Sequence, residues 1–108
     1  MKVAISATSN NLQAKLDNHF GRCSFFAILD TETGHIEFIA NTYKDNVSGV
    51  GKKVSQFLNN LKVKKVIGFQ FGVKIKEQFD QSGIQLIAIQ DTEKSIGDFV
   101  NLLMNNKN

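Results

Sequence analysis

His19 and Cys23, four residues apart in the stretch Asn18-His19-Phe20-Gly21-Arg22-Cys23, set an imidazole and the chain's single thiol on either side of a glycine. Imidazole nitrogen and thiolate sulfur are good ligands for zinc, copper and iron-sulfur species, and Arg22 could balance the charge of an anionic metal-sulfur cluster. A structural zinc site is almost always four-coordinate, so this pair alone cannot close one. A cluster that brings its own sulfurs suits the pair better than a bare ion. The bland alternative is a hydrogen-bonding histidine in a turn beside a small core cysteine. Nucleophilic catalysis by Cys23 with His19 as base lacks an identifiable orienting group, so no enzyme is expected.

A second stretch, Ser48-Gly49-Val50-Gly51-Lys52-Lys53, hints at a phosphate loop. Asn46 stands where its first glycine belongs and Lys53 where Ser or Thr would hold magnesium, so the Walker reading fails. Ser48, Gly49 and Gly51 remain candidates for contacting an anionic ligand through backbone N–H groups. The run Gly68-Phe69-Gln70-Phe71-Gly72 lacks dinucleotide-fingerprint spacing and is expected to be a strand-to-helix turn with two aromatic side chains, in which Gln70 is a candidate cofactor-binding residue. Strand one carries Ser6 where a two-metal nuclease would need an acid, which argues against that chemistry.

These groups meet only if the fold brings them together. Lys2 to Ala7 and Phe25 to Asp30 read as buried strands, and Thr31-Glu32-Thr33-Gly34 as the hairpin turn into a third strand, His35 to Ala40. Val50, Val54, Phe57, Leu58 and Leu61 recur at helical spacing. Lys65 to Phe69 is strand four, Ile75 and Phe79 mark a second helix ended by Gly83, and Ile84 to Ile89 is strand five. Ile96, Phe99, Val100 and Leu103 predict a third helix, with Thr92 or Ser95 as N-cap. The order β-β-β-α-β-α-β implies a mixed sheet with strand two antiparallel and helices on both faces. The carboxyl edge of strands one and four, where ligands bind in open α/β sheets, then receives all three glycine-containing loops.

The 108 residues suit one domain, residues 1–108, whose folding should bury roughly two-thirds of the unfolded chain's surface. One cysteine excludes an internal disulfide, and neither a signal sequence nor a membrane-spanning apolar run is present, so a cytoplasmic protein is expected. No acidic residue lies between Asp45 and Glu77, while Lys52, Lys53, Lys62, Lys64, Lys65, Lys74 and Lys76 fall there. This run reads first as a solvated basic face; an anionic partner is the alternative, and nucleic acid ranks last among such partners. The polar end, Asn105 to Asn108, is expected to be disordered.

With the motifs placed, the chain resembles the dinitrogenase iron-molybdenum cofactor biosynthesis family, the group of NifX, NifY, NafY and the NifB C-terminal domain. The resemblance rests on "KVAIS", on "HFGRC" entering "SFFAILDTETGHIEFI", on the glycine-rich helix start, and on "VIGFQFG" and "SGIQLIAI". It implies a three-layer ribonuclease-H-like α/β fold with a five-stranded sheet in the order 3-2-1-4-5. It further implies a carrier of iron-molybdenum cofactor or a related iron-sulfur or molybdenum-sulfur cluster, with cluster donor and acceptor proteins as partners. By motif position His19 is the implied ligand, Cys23 matches a cysteine of some members, and Arg22 is a charge partner. Many relatives carry a histidine where this chain has Ser48. A metal-free interaction or regulatory domain of the same fold is the alternative.

Overall fold

The computed structural model describes residues 1–91 and 93–105. It contains β1 (Lys2–Ala7), β2 (Phe25–Asp30), β3 (Ile36–Ala40), α1 (Val50–Asn60), β4 (Val63–Gly68), α2 (Val73–Ser82), β5 (Gln85–Ala88) and α3 (Ile96–Asn105), with a short 3₁₀ turn at Phe20–Arg22. The five strands lie in the order β3-β2-β1-β4-β5. β1 pairs antiparallel with β2 and parallel with β4, β2 antiparallel with β3, and β4 parallel with β5. The mixed sheet is therefore the one the strand directions require.

β1 is buried along Val3 to Ala7, as a central strand must be, and its alternating side chains feed two cores. Ala4 joins Phe26, Val66, Val54, Leu58 and Phe79 beneath α1 and α2. Val3, Ile5 and Ala7 join Ile67, Ile96 and Phe99 beneath α3. Helices thus cover both faces. Residues 8–18, which the hydrophobic pattern leaves unassigned, run over the α3 face, where Ala14 and Leu16 complete the second core.

The element boundaries shift for local reasons. β4 starts at Val63 rather than Lys65, because Lys62 takes a left-handed conformation (φ 68°) that turns the chain out of α1 and sets Val63 against Lys2. β5 is shorter than its apolar run, and Ile84 packs into the core before the ladder starts. Ser95 caps α3: its Oγ accepts the Asp98 N–H at 3.1 Å, and the Asp98 carboxylate accepts the Ser95 N–H at 2.9 Å. The other candidate cap, Thr92, lies outside the described residues, as does the expected disorder of Asn106 to Asn108; Asn105 instead closes α3. No helix among the described residues is long and apolar enough to cross a membrane.

Candidate functional site

The loop carrying His19 is anchored by its neighbour. Phe20 is fully buried, its ring stacked on Phe71 at 5.0 Å between centroids and set edge-on to Phe79 at 5.7 Å. Gly68 lets β4 approach this ring, since a Cβ there would stand 2.9 Å from Phe20 Cδ2. The Phe20 N–H donates to the Gln70 carbonyl and the Gln70 N–H to the Asn18 carbonyl, each at 3.0 Å, which joins the loop to the end of β4. The Asp17 carboxylate closes it from within, accepting the His19 N–H at 3.4 Å and the Ser24 N–H at 3.2 Å. With its backbone held and Phe20 pointing inward, His19 is left exposed at the carboxyl edge of the sheet.

α1 and α2 begin beside it. Their approach is set by Gly51, where a Cβ would stand 3.3 Å from the backbone N and Cα of Ile75. The first turns close with Lys53 N–H to Gly49 O and Lys76 N–H to Gly72 O, so Val50, Gly51 and Lys52, and Val73, Lys74 and Ile75, start with N–H groups that have no helical acceptor. Neither helix has a side-chain cap or an acid in its first turn. α3 is the contrast: besides the Ser95 and Asp98 caps, its Ile96 and Gly97 N–H groups donate at 2.8 Å to the carbonyls of Ala14 and Leu12. The helix turned away from His19 is capped at every donor, and the two turned toward it present bare, positively polarised ends.

Between these elements lies an open cleft of about 660 Å³, lined by His19, Arg22, Ser48, Gly49, Gly51 and Gln70 among others. A second concavity of about 410 Å³, walled by Phe69, Phe71 and Lys76, shares His19 and Gln70 with it, so His19 stands on the ridge between the two. The structure brings together every candidate except Cys23. That residue is fully buried in the core beneath α1 and α2. Burial pushes its thiol well above the ordinary range, and the nearby Asp17 carboxylate adds to the shift. A thiol so placed should resist iodoacetamide at neutral pH in the folded protein and react on unfolding, which mass spectrometry of the alkylated chain would read.

Arg22 is exposed, and its Nη1 donates to the carbonyls of Lys44 at 2.8 Å and Asn46 at 3.0 Å, tying the His19 loop to the segment before α1. Gly49 enters α1 with φ 74°, which a side chain tolerates poorly. Gly49→Ala should cost about 1 kcal/mol in urea denaturation.

Strand directions bring the loop ending at Gly72 to this edge, but sequence reasoning missed that Val73 and Lys74, at the start of α2, line the cleft beside it. The signal available was Gly72 ahead of a helical pattern with no acid in its first turn. The lysine run also divides in space. Lys52 and Lys74 line the main cleft and Lys76 the second concavity, whereas Lys62, Lys64 and Lys65 fall at the far end of the sheet, where β4 begins. Among the described residues, no group of three or more His, Cys, Asp or Glu could hold a metal ion.

Comparison with known proteins adds three kinds of likeness. The family model described as dinitrogenase iron-molybdenum cofactor matches residues 1–106. The uncharacterized protein MJ0580 of Methanocaldococcus jannaschii is 33% identical over 110 residues, covering 99% of this chain and 88% of its own. Among solved structures, a putative NifB protein from Thermotoga superposes with a TM-score of 0.81 at 25% identity, covering 98% of this chain and 89% of that one. The apo form of the orange protein from Desulfovibrio gigas superposes with a TM-score of 0.84 at 22% identity, covering 98% and 88%, which is a likeness of fold.

Proposed function

The chain belongs to the dinitrogenase iron-molybdenum cofactor family, and on that premise we propose that it binds and carries an anionic metal-sulfur cluster, iron-molybdenum cofactor or a related iron-sulfur or molybdenum-sulfur species, in the cytoplasm. The observation that carries this reading is the joining of one exposed imidazole to two uncapped helix N-termini around one cleft. His19 would bind a metal of the cluster. The N–H groups at the starts of α1 and α2, with Lys52 and Lys74, would face its sulfide or oxo groups, since bare helix starts favour anions. Donors and acceptors of the cluster would be the protein's partners. No thiol step is assigned, because the buried Cys23 offers no nucleophile to the cleft.

The test is an anaerobic titration with isolated iron-molybdenum cofactor and with tetrathiomolybdate, followed by gel filtration and the metal-to-protein ratio. Stoichiometric retention of either supports the carrier. Loss of both on the column favours the metal-free interaction domain. The observation in favour of that second reading is the pair of exposed valines at the cleft, Val47 and Val73.

A further inference from the structure

Residues 41–49 join β3 to α1, Val47, Ser48 and Gly49 among them line the cleft, and the two halves of this segment are held differently. The first half is fixed. Asn41 is buried, donates from Nδ2 to the Gly21 carbonyl at 2.9 Å and accepts the Tyr43 N–H at 3.1 Å, while the Tyr43 ring meets Phe57 at 6.2 Å. The second half is loose. Neither Val47 nor Ser48 makes a hydrogen bond to a described residue, and Val47 is 99% exposed, a whole β-branched side chain in water. Val73, on the same cleft at the start of α2, is 71% exposed. Gly49 follows with a positive φ and no atom within 4 Å of where a Cβ would stand, so no side-chain packing restrains the chain there. At its ends the loose half is held by the Asn46 N–H, which donates to the Tyr43 carbonyl at 3.1 Å, and by the Gly49 carbonyl, which accepts the Lys53 N–H at 3.1 Å; the side chain that restrains it is Arg22, which holds the Lys44 and Asn46 carbonyls and itself lines the cleft.

We propose that residues 46–49 are a strap that Arg22 latches open, and that an anionic cargo draws the guanidinium off the Lys44 and Asn46 carbonyls so that Val47 closes onto Val73 over the cleft. The inference rests on the cleft being the cargo site. Arg22 already makes charge-assisted bonds to the two carbonyls, and an anion adds to such a bond the attraction between opposite charges, so a charged cargo competes for Arg22. Closure removes two valine side chains from water and shuts the cargo away from solvent, which strengthens every charged contact beneath.

The experiment uses the Val47→Cys/Val73→Cys double variant, whose added thiols are the only accessible ones because Cys23 is buried. Disulfide formation with oxidised glutathione, without any cargo, reports closure alone and is untouched by whether a cluster binds. Adding Arg22→Gln is expected to speed this cross-linking about tenfold, the worth of one or two exposed charge-assisted hydrogen bonds. An unchanged rate, or no cross-link with or without Arg22, overturns the latch. Orthomolybdate added to the Arg22-containing double variant is the second arm. Faster cross-linking supports cargo triggering, and molybdate bound without faster cross-linking overturns it. Failure of molybdate to bind overturns triggering by an oxyanion, while the carrier itself is judged by retention of the cofactor or tetrathiomolybdate.

Discussion

Replacing His19 by alanine should lower cluster affinity by a factor on the order of 100 or more, since losing even an outer-shell partner costs a metal site roughly 10- to 100-fold. The large effect follows from the poverty of the site. No cluster of three metal-ligating side chains exists among the described residues, and the one thiol is sealed in the core. His19 is therefore the imidazole or thiol that the cleft can offer. Its side chain is exposed, and its loop is held by Asp17, Phe20 and Gln70 rather than by the imidazole. The variant should fold normally and unfold at an unchanged urea midpoint. Added imidazole should restore part of the retention seen by gel filtration. Equal retention by variant and parent would remove His19 from the site and leave the helix ends alone to hold the cargo.

Phe20→Ala should be the most destabilising substitution near the site, costing about 3–5 kcal/mol in urea denaturation and lowering the melting temperature by more than about 10 °C. The ring is fully buried and meets three other phenylalanines, Phe26, Phe71 and Phe79. Gly68 makes room for the ring, since a Cβ there would stand 2.9 Å from it. Because Phe20 sits between His19 and Gly21, its loss should also free the loop, so Phe20→Leu should show weakened cluster retention at modest cost in stability. A loss below about 1 kcal/mol for Phe20→Ala would mean that the loop repacks and that the ring is no anchor.

The mixed sheet was legible because the Thr31–Gly34 turn forces β2 and β3 into a hairpin while helical crossovers make the later strands parallel; the full order β3-β2-β1-β4-β5 came from the family resemblance. The meeting of His19, Ser48, Gly49, Gly51 and Gln70 followed from strand directions alone. Cys23 was not legible: it lies two residues before the start of β2, where one residue of register decides between cleft and core. The Asp17 carboxylate, fixed on the His19 and Ser24 N–H groups, settles that register in the structure. The second helix start was missed for a different reason. Gly72 has no Cβ contact within 4 Å and no cap, so its role comes from the crossing at Gly51 and Ile75, a contact between segments far apart in sequence. Arg22 was read as a charge for the cargo, and its two carbonyl partners depend on how residues 41–46 turn, which no periodicity reveals.

The central strand of the sheet is also the first to be made. β1 can pair with β2 and β2 with β3 early in synthesis, but the parallel partner of β1 arrives only with Val63 to Ile67. The bonds between the His19 loop and Gln70, and the start of α2, come later still. A nascent chain therefore displays His19 before the cleft exists, and on the proposed reading capture of cargo must wait until the start of α2 has emerged. Once complete, the site rewards completion: a ligand at 100 times its dissociation constant adds about 2.7 kcal/mol to the native state. Loaded chains should outlast empty ones under proteolysis, making cargo supply a regulator of how much of the protein persists.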